Sequence, residues 1–169
     1  TAKGNGGKGL SPEDTFRGFN AGMRGQKSTV YEGGHRVPFF IHWPNGPGGG
    51  LVGGRDVENL AAHLDVLPTL AELCAVQLPD NLALDGSSFA AQLTDSQAPP
   101  HRDHVVVQLQ GGAHFSGPGQ KWTASCVVKD QWRLVDGEQL YDVASDPGQK
   151  RNVAAHHPEQ VAALRALYE

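Results

Sequence analysis

The sequence predicts an α/β fold: an αβ part with a buried strand and a strand-plus-helix unit, followed by a small four-stranded antiparallel sheet with a C-terminal helix. Three observations predict it. Val37 to Trp43 is apolar almost throughout, the pattern of a strand buried on both faces within a parallel sheet. A second strand pattern over 57–63 leads into a helical pattern that begins at Asp65. From Asp103 onward, four short strand-like runs precede a helix opened by Pro158.

Each element has a local reason. Ser11-Pro12-Glu13-Asp14 carries a helix-start signature, with serine as N-cap, proline at the first helical position and acids in the first turn. Gly18 limits that helix to about a turn. Residues 19–36 read as an irregular loop in which Gly22, Gly25, Gly33 and Gly34 supply unusual backbone angles. After Val37–Trp43, the glycine- and proline-rich run 44–50 reads as a surface turn. Asp65 is expected to cap a helix of about ten residues with Leu67, Leu70, Ala71 and Cys74 on one apolar face. Pro68 is tolerable there because first-turn amides have no intrahelical acceptor to lose. Val105–Val107, Thr123–Lys129, Gln131–Val135 and Glu138–Val143 read as the four strands, with a turn at Lys129-Asp130. In the last helix Val161, Leu164, Arg165 and Tyr168 fall at helical spacing. The change of texture divides the chain into 1–100 and 101–169.

Composition excludes several classes. With 169 residues the chain can bury a real core, and its 22 glycines and 11 prolines mark turns rather than disorder. No apolar run approaches the roughly 20 residues a membrane helix needs, so no membrane is expected as partner. Residues 1–36 hold six Lys/Arg against three Asp/Glu, whereas 37–169 hold eight against fifteen. That basic excess suits a small anion and is too slight to neutralise a run of phosphates, so nucleic acid is not expected as a partner. Cys74, in a helical pattern, and Cys126, in a strand pattern, are expected to be buried thiols rather than a disulfide framework.

The chemistry concentrates in Lys27-Ser28-Thr29-Val30-Tyr31-Glu32-Gly33-Gly34-His35-Arg36-Val37-Pro38. A lysine, a glycine-paired turn and an apolar strand place a cation on a loop at the end of a buried sheet, where α/β enzymes hold anionic substrates. This stretch resembles the sulfatase family of the alkaline-phosphatase-like superfamily. The resemblance continues in family order through Asp65-Val66-Leu67-Pro68-Thr69-Leu70, Leu84-Asp85-Gly86-Ser87-Ser88, Glu138-Gln139-Leu140-Tyr141-Asp142, Asp146-Pro147 and Asn152. It implies an alkaline-phosphatase-like αβα domain for 1–100 and the sulfatase antiparallel subdomain for 101–169. It also implies hydrolysis of a sulfate ester by the parent enzyme, with Lys27 contacting the sulfate as catalytic and substrate-binding residue.

The family nucleophile motif, Cys/Ser-x-Pro-x-Arg, does not occur in this sequence, and Asn5-Gly6 has no aspartate before it to match the metal-binding Asp-Asn-Gly. The resemblance therefore implies the C-terminal portion of a sulfatase, inactive alone, whose partner is the missing N-terminal portion. Calcium and a formylglycine residue are implied for the full-length enzyme, no cofactor and no metal site for this stretch, and export to the periplasm, a lysosome or the exterior for the parent. A related phosphodiesterase or phosphonate monoester hydrolase, or a stand-alone module binding sulfated glycans, are the rival readings. Self-association through the uncovered strand Val37–Trp43 is expected of the isolated chain.

Other residues stay open or bland. His35 either lines the pocket for the sulfated alcohol or is an ordinary packed histidine, while Tyr31, Glu32 and Arg36 are expected to brace the lysine turn. His101, Asp103, His104 and His114 invite a metal reading, but zinc sites announce three or four spaced ligands and these do not. The glycine-rich run 111–119 reads as a mobile loop. Trp122, Trp132 and Tyr141 belong to the β pattern as packing residues, and Asp142 and Asp146-Pro147 read as turn chemistry.

Overall fold

A computed structural model describes residues 19–46, 50–51, 53–109 and 121–168. The helix expected at Ser11, the loop 111–119 and His114 lie outside these residues. The described chain falls into two compact units, one formed by 19–37 with 106–168 and the other by 38–105.

The first unit is built on a sheet of four strands in sequence order, β1 (Val105–Gln108), β2 (Ser125–Lys129), β3 (Trp132–Val135) and β4 (Gln139–Asp142). β2–β3 and β3–β4 are antiparallel hairpins. The turn expected at Lys129-Asp130 is present, with Asp130 at φ 48°, a left-handed angle that aspartate tolerates. Register sorts the side chains onto two faces. Val127 opposes Leu134, which opposes Leu140, and this apolar row is fully buried under Leu164. Leu164 belongs to α4 (Pro158–Tyr168), which Val161 and Tyr168 help to seat, so the expected helical spacing faces the sheet. Trp122 stacks on Tyr168 at 4.2 Å between centroids and Trp132 also packs on this cluster.

The opposite face carries the row Val128, Arg133 and Tyr141. It receives the segment from Asn20 to Arg36, including the short helix α1 (Glu32–His35). That second cover explains why β2 is buried along nearly its whole length, on both sides of the pleat.

Turn residues brace the hairpin ends. Asp142 accepts hydrogen bonds from the Ala144 amide and the Ser145 hydroxyl, and Asp146 accepts from the amides of Lys150 and Arg151. Asn152 Oδ1 accepts from the amides of Leu140 and Ala154. These family landmarks are turn and cap chemistry.

The second unit centres on Asp65. A 3-10 turn (His63–Asp65) leads into α2 (Val66–Leu73), and α3 (Ala90–Thr94) follows the loop 84–89. Asp65 is wholly buried and accepts hydrogen bonds from the amides of Ala62 and Ser87. It is also paired with Arg102 and lies 3.1 Å from His101 Nε2. Burial alone would raise its carboxyl. The Arg102 guanidinium, the two amides and His101 outweigh burial and hold it below the usual carboxylate range. Thr69 donates to the Asp65 carbonyl and accepts from the Phe89 amide. A Cβ on Gly86 would collide with the Leu64 carbonyl, so the loop can close on Asp65 only with glycine there.

Four expectations are corrected. Val37–Trp43 is not a strand, and Val37 and Phe40 are 74% and 91% exposed. A strand exists through bonds to a neighbouring strand, and no described segment offers this stretch one. The second expected strand, 57–63, is irregular and ends in the 3-10 turn. α2 is shorter than expected and presents a different face. Leu67 and Leu70 are 50% and 42% exposed, while Thr69 and Ala71 are buried, because the bonds to Asp65 and Thr69 fix the rotation of the helix. Asp65 stands at the N-cap of α2 as expected, but its side chain makes no capping hydrogen bond because the carboxylate is committed elsewhere.

The fourth correction separates the cysteines. Cys126 is fully buried and burial pushes its thiol up to about 12, whereas Cys74 is exposed. Iodoacetamide at pH 8 should therefore modify Cys74 on the folded chain and reach Cys126 only after denaturation, as mass spectrometry of tryptic peptides will show. Equal labelling of both on the native protein would contradict the burial of β2.

Candidate functional site

Lys27 sits at the second position of a turn from Gln26 to Thr29, and its side chain is exposed. The turn is closed three ways. The Thr29 amide donates to the Gln26 carbonyl at 3.0 Å, the Thr29 hydroxyl donates to the same carbonyl at 2.8 Å, and the Gln26 amide donates to that hydroxyl at 3.0 Å. Ser28 takes φ 72°, the left-handed angle the third position of such a turn demands. That angle is uncommon for serine and is held only where the surroundings over-determine it. Lys27 forms no ion pair with any described residue.

Behind the turn stands α1. Its Gly33 amide donates to the Arg24 carbonyl at 2.8 Å, which folds the loop back on itself. Gly33 and Gly34 do not supply left-handed angles, contrary to the sequence reading. They give close approach instead. A Cβ on Gly34 would collide with the Thr29 carbonyl, so the helical turn seats directly against the lysine turn.

Glu32 is the anchor of α1. It is 2% exposed and meets two arginines: Arg133 Nε donates to Oε2 at 2.7 Å and Arg36 donates to Oε1 at 3.0 Å. Burial would raise this carboxyl, but Arg133 and then Arg36 more than offset it and hold the group below its ordinary range. The Glu32 amide donates to Gln149 Oε1 at 2.8 Å. Tyr31 lies under the Arg24 guanidinium at 3.9 Å and edge-on to Tyr141. Arg24 also donates to the Tyr141 hydroxyl and the Gln149 carbonyl. Tyr31, Glu32 and Arg36 thus brace the loop as expected.

His35 is turned inward. Its ring bonds the Val30 carbonyl, and its Nε2 is buried with no partner among the described residues. Burial lowers its pKa, Glu32 opposes that shift, and Arg133 adds to it, so the ring is kept neutral.

The described histidines of the metal reading, His101 and His104, are each paired with a different carboxylate. His101 pairs with Asp65, and His104 Nδ1 lies 2.6 Å from Asp103. Among the described residues no three His, Cys, Asp or Glu side chains come together as a metal site. The described residues therefore do not fit the calcium that the resemblance implies for a full-length enzyme, and neither cysteine stands in the motif from which formylglycine is made.

Sequence reasoning missed Arg133 and Gln149. The available signal was an arginine between Trp132 and Leu134 in an otherwise apolar strand, since a buried charge requires a partner.

Residues 24–167 match the family model described as N-sulphoglucosamine sulphohydrolase, C-terminal. An N-acetylgalactosamine-6-O-sulfatase of Bacteroides thetaiotaomicron is 28% identical over 165 residues, covering 86% of this chain and 29% of that protein. Human arylsulfatase A is 32% identical over 168 residues, covering 86% of this chain and 32% of that protein. A solved structure from work on glycosaminoglycan metabolism by Bacteroides thetaiotaomicron superposes with a TM-score of 0.64 at 28% identity, over 87% of this chain and 31% of that one. The chain thus spans roughly a third of the length of these relatives. With nearly all of its described sheet unit and the whole lysine turn inside the matched region, the chain belongs to the sulfatase family, to the C-terminal region that its model describes.

Proposed function

We propose that this chain is the C-terminal part of an enzyme that hydrolyses sulfate esters, with residues 1–100 completing its catalytic domain and 101–169 forming its subdomain. Lys27 contacts the sulfate. The observation that carries this reading is an exposed lysine, unpaired with any described residue, on a turn held by three hydrogen bonds and braced by a buried ion pair. Cleavage of a sulfate ester builds negative charge on the sulfuryl oxygens and on the departing oxygen. A preplaced ammonium stabilises both without reorganising at the moment of reaction. A formylglycine and a calcium ion, which the family resemblance implies for a full-length enzyme, would supply the attacking oxygen and offset the sulfate charge, and we assign no described residue to holding either. His35 on the same loop is the second residue we assign to the substrate side; its ring is turned inward, and the buried Nε2, without a partner among the described residues, is the atom left to bond a substrate group.

The 169-residue chain alone should therefore release no sulfate from a chromogenic aryl sulfate above the uncatalysed rate, because loss of a covalent nucleophile costs several orders of magnitude. Turnover by the pure chain that disappears in Lys27→Ala would overturn this division of labour.

The isolated chain should also self-associate. Val37, Phe39 and Phe40 are 74%, 55% and 91% exposed in one contiguous stretch, and such surfaces recruit other chains. Sedimentation velocity should show mass rising with concentration, and Phe40→Lys should suppress the rise. A monomer at every concentration would refute the proposal.

A further inference from the structure

We infer that Arg133 is a positioning residue for Lys27, acting through Glu32, so that the antiparallel sheet sets the geometry of the sulfate contact. The inference rests on the assignment of Lys27 made above and extends it to a residue 101 positions from its partner.

Arg133 is 7% exposed and all three of its guanidinium nitrogens are committed. Nε and one terminal nitrogen donate to the two Glu32 oxygens at 2.7 and 3.3 Å. The other terminal nitrogen donates to the carbonyls of Asp130 and Trp132 at 2.8 and 2.9 Å. The fork is thereby fixed to the β2–β3 turn, and the carboxylate has one place to sit. From Glu32 the path to the lysine is short. Glu32 opens α1, Gly34 of α1 seats against the Thr29 carbonyl, and Thr29 closes the turn that carries Lys27.

The other end of the loop is tied to the same side of the sheet. Arg24, three residues before Lys27, donates to the Tyr141 hydroxyl on β4 and to the Gln149 carbonyl, while Gln149 accepts the Glu32 amide. Residues 24 and 32 are both pinned, and Lys27-Ser28 is the exposed tip between them.

Stability does not require this chemistry. A buried ion pair is often no better for stability than apolar residues of equal volume, because desolvation consumes the attraction. What a two-bonded fork adds is a fixed distance and orientation. Those are the quantities a charge-stabilising lysine depends on, since displacement of a reacting group by about 1 Å can cost about a hundredfold.

The test is a double-mutant cycle in the full-length enzyme with Arg133→Met, Arg133→Lys and Lys27→Ala. Arg133→Met should lower kcat by about tenfold or more, and Arg133→Lys, which keeps the charge without the fork, should fall between it and the wild type. In the Lys27→Ala background both should have little further effect. The same fold-loss with and without Lys27 would mean that Arg133 is only structural, and would overturn the inference. If Arg133→Met does not fold, Arg133→Lys carries the cycle alone.

Hydrogen exchange on the same variants separates this inference from the function it rests on. The amides of Thr29 and Gly33 should exchange at least about tenfold faster in Arg133→Lys, while those of Val127 and Leu134 stay protected. Unchanged exchange at Thr29 and Gly33 would refute the positioning role even if Lys27→Ala is inactive. Near-normal activity in Lys27→Ala would refute the sulfate contact, even where the exchange result shows the turn to be held by Arg133.

Discussion

Lys27→Ala in the full-length enzyme is expected to lower kcat/KM by at least about a hundredfold, the scale of losing one preorganised donor to a developing anion. The residue is exposed and pairs with no described group, so its removal leaves the braces of the loop in place. Folding should be unaffected, and circular dichroism with thermal melting will confirm that. Lys27→Arg should recover only part of the loss, because a planar guanidinium cannot occupy the position of a compact ammonium. Steady-state kinetics on an aryl sulfate decide the matter. Activity within a few-fold of wild type in a folded alanine variant would remove Lys27 from the reaction.

Glu32→Ala is expected to destabilise the chain by about 3–5 kcal/mol at neutral pH, the usual cost of leaving one member of a buried ion pair alone. Arg133 would then be a buried cation without its carboxylate, and the Arg36 bond would be lost as well. The sign of the pH dependence follows from the lowered Glu32 carboxyl. A group whose folded pKa lies below its unfolded one contributes fully above the unfolded value, about 4.3 for glutamate, and loses that contribution as pH falls through the folded value. Urea unfolding at pH 7 should show the full gap between wild type and variant, and the gap should narrow progressively below about pH 4. A difference under about 1 kcal/mol at pH 7, the range of a surface pair, would mean the ion pair is not buried as described.

Local signals were legible and long-range ones were not. The four strands of the sheet could be read from short β runs with a turn at Lys129-Asp130, and α4 from Pro158 and its spaced Val161, Leu164 and Tyr168. Those cues act within a few residues. Val37–Trp43 misled because an apolar run records a demand for burial without saying what will cover it, and strand identity lies in the partner. The face of α2 misled for a related reason. Leu67, Leu70 and Cys74 outweigh Thr69 on any hydropathy scale, yet the hydrogen bonds of Asp65 and Thr69 fix which side turns inward. Buried polar groups tolerate fewer geometries than apolar ones.

The candidate site divides along the same line. Lys27 stood out through the family resemblance of its motif, and the bracing roles of Tyr31, Glu32 and Arg36 could be expected because all three lie within ten residues of it. Arg133, Tyr141 and Gln149 reach the loop from more than a hundred residues away, and no pattern in one sequence announces such a meeting. Gly33 and Gly34 were read as supplying unusual backbone angles when they serve as space for neighbouring backbone.

Titration calorimetry of inorganic sulfate into the full-length enzyme and its Lys27→Ala variant tests the sulfate contact most directly, because it needs no turnover. A hydrogen bond between charged groups contributes about 1.5–3 kcal/mol, so sulfate should bind the variant at least about tenfold more weakly. The difference should shrink as ionic strength rises, as expected for an exposed charge. Equal affinity for sulfate in the two proteins, both folded, would contradict a contact between Lys27 and the substrate.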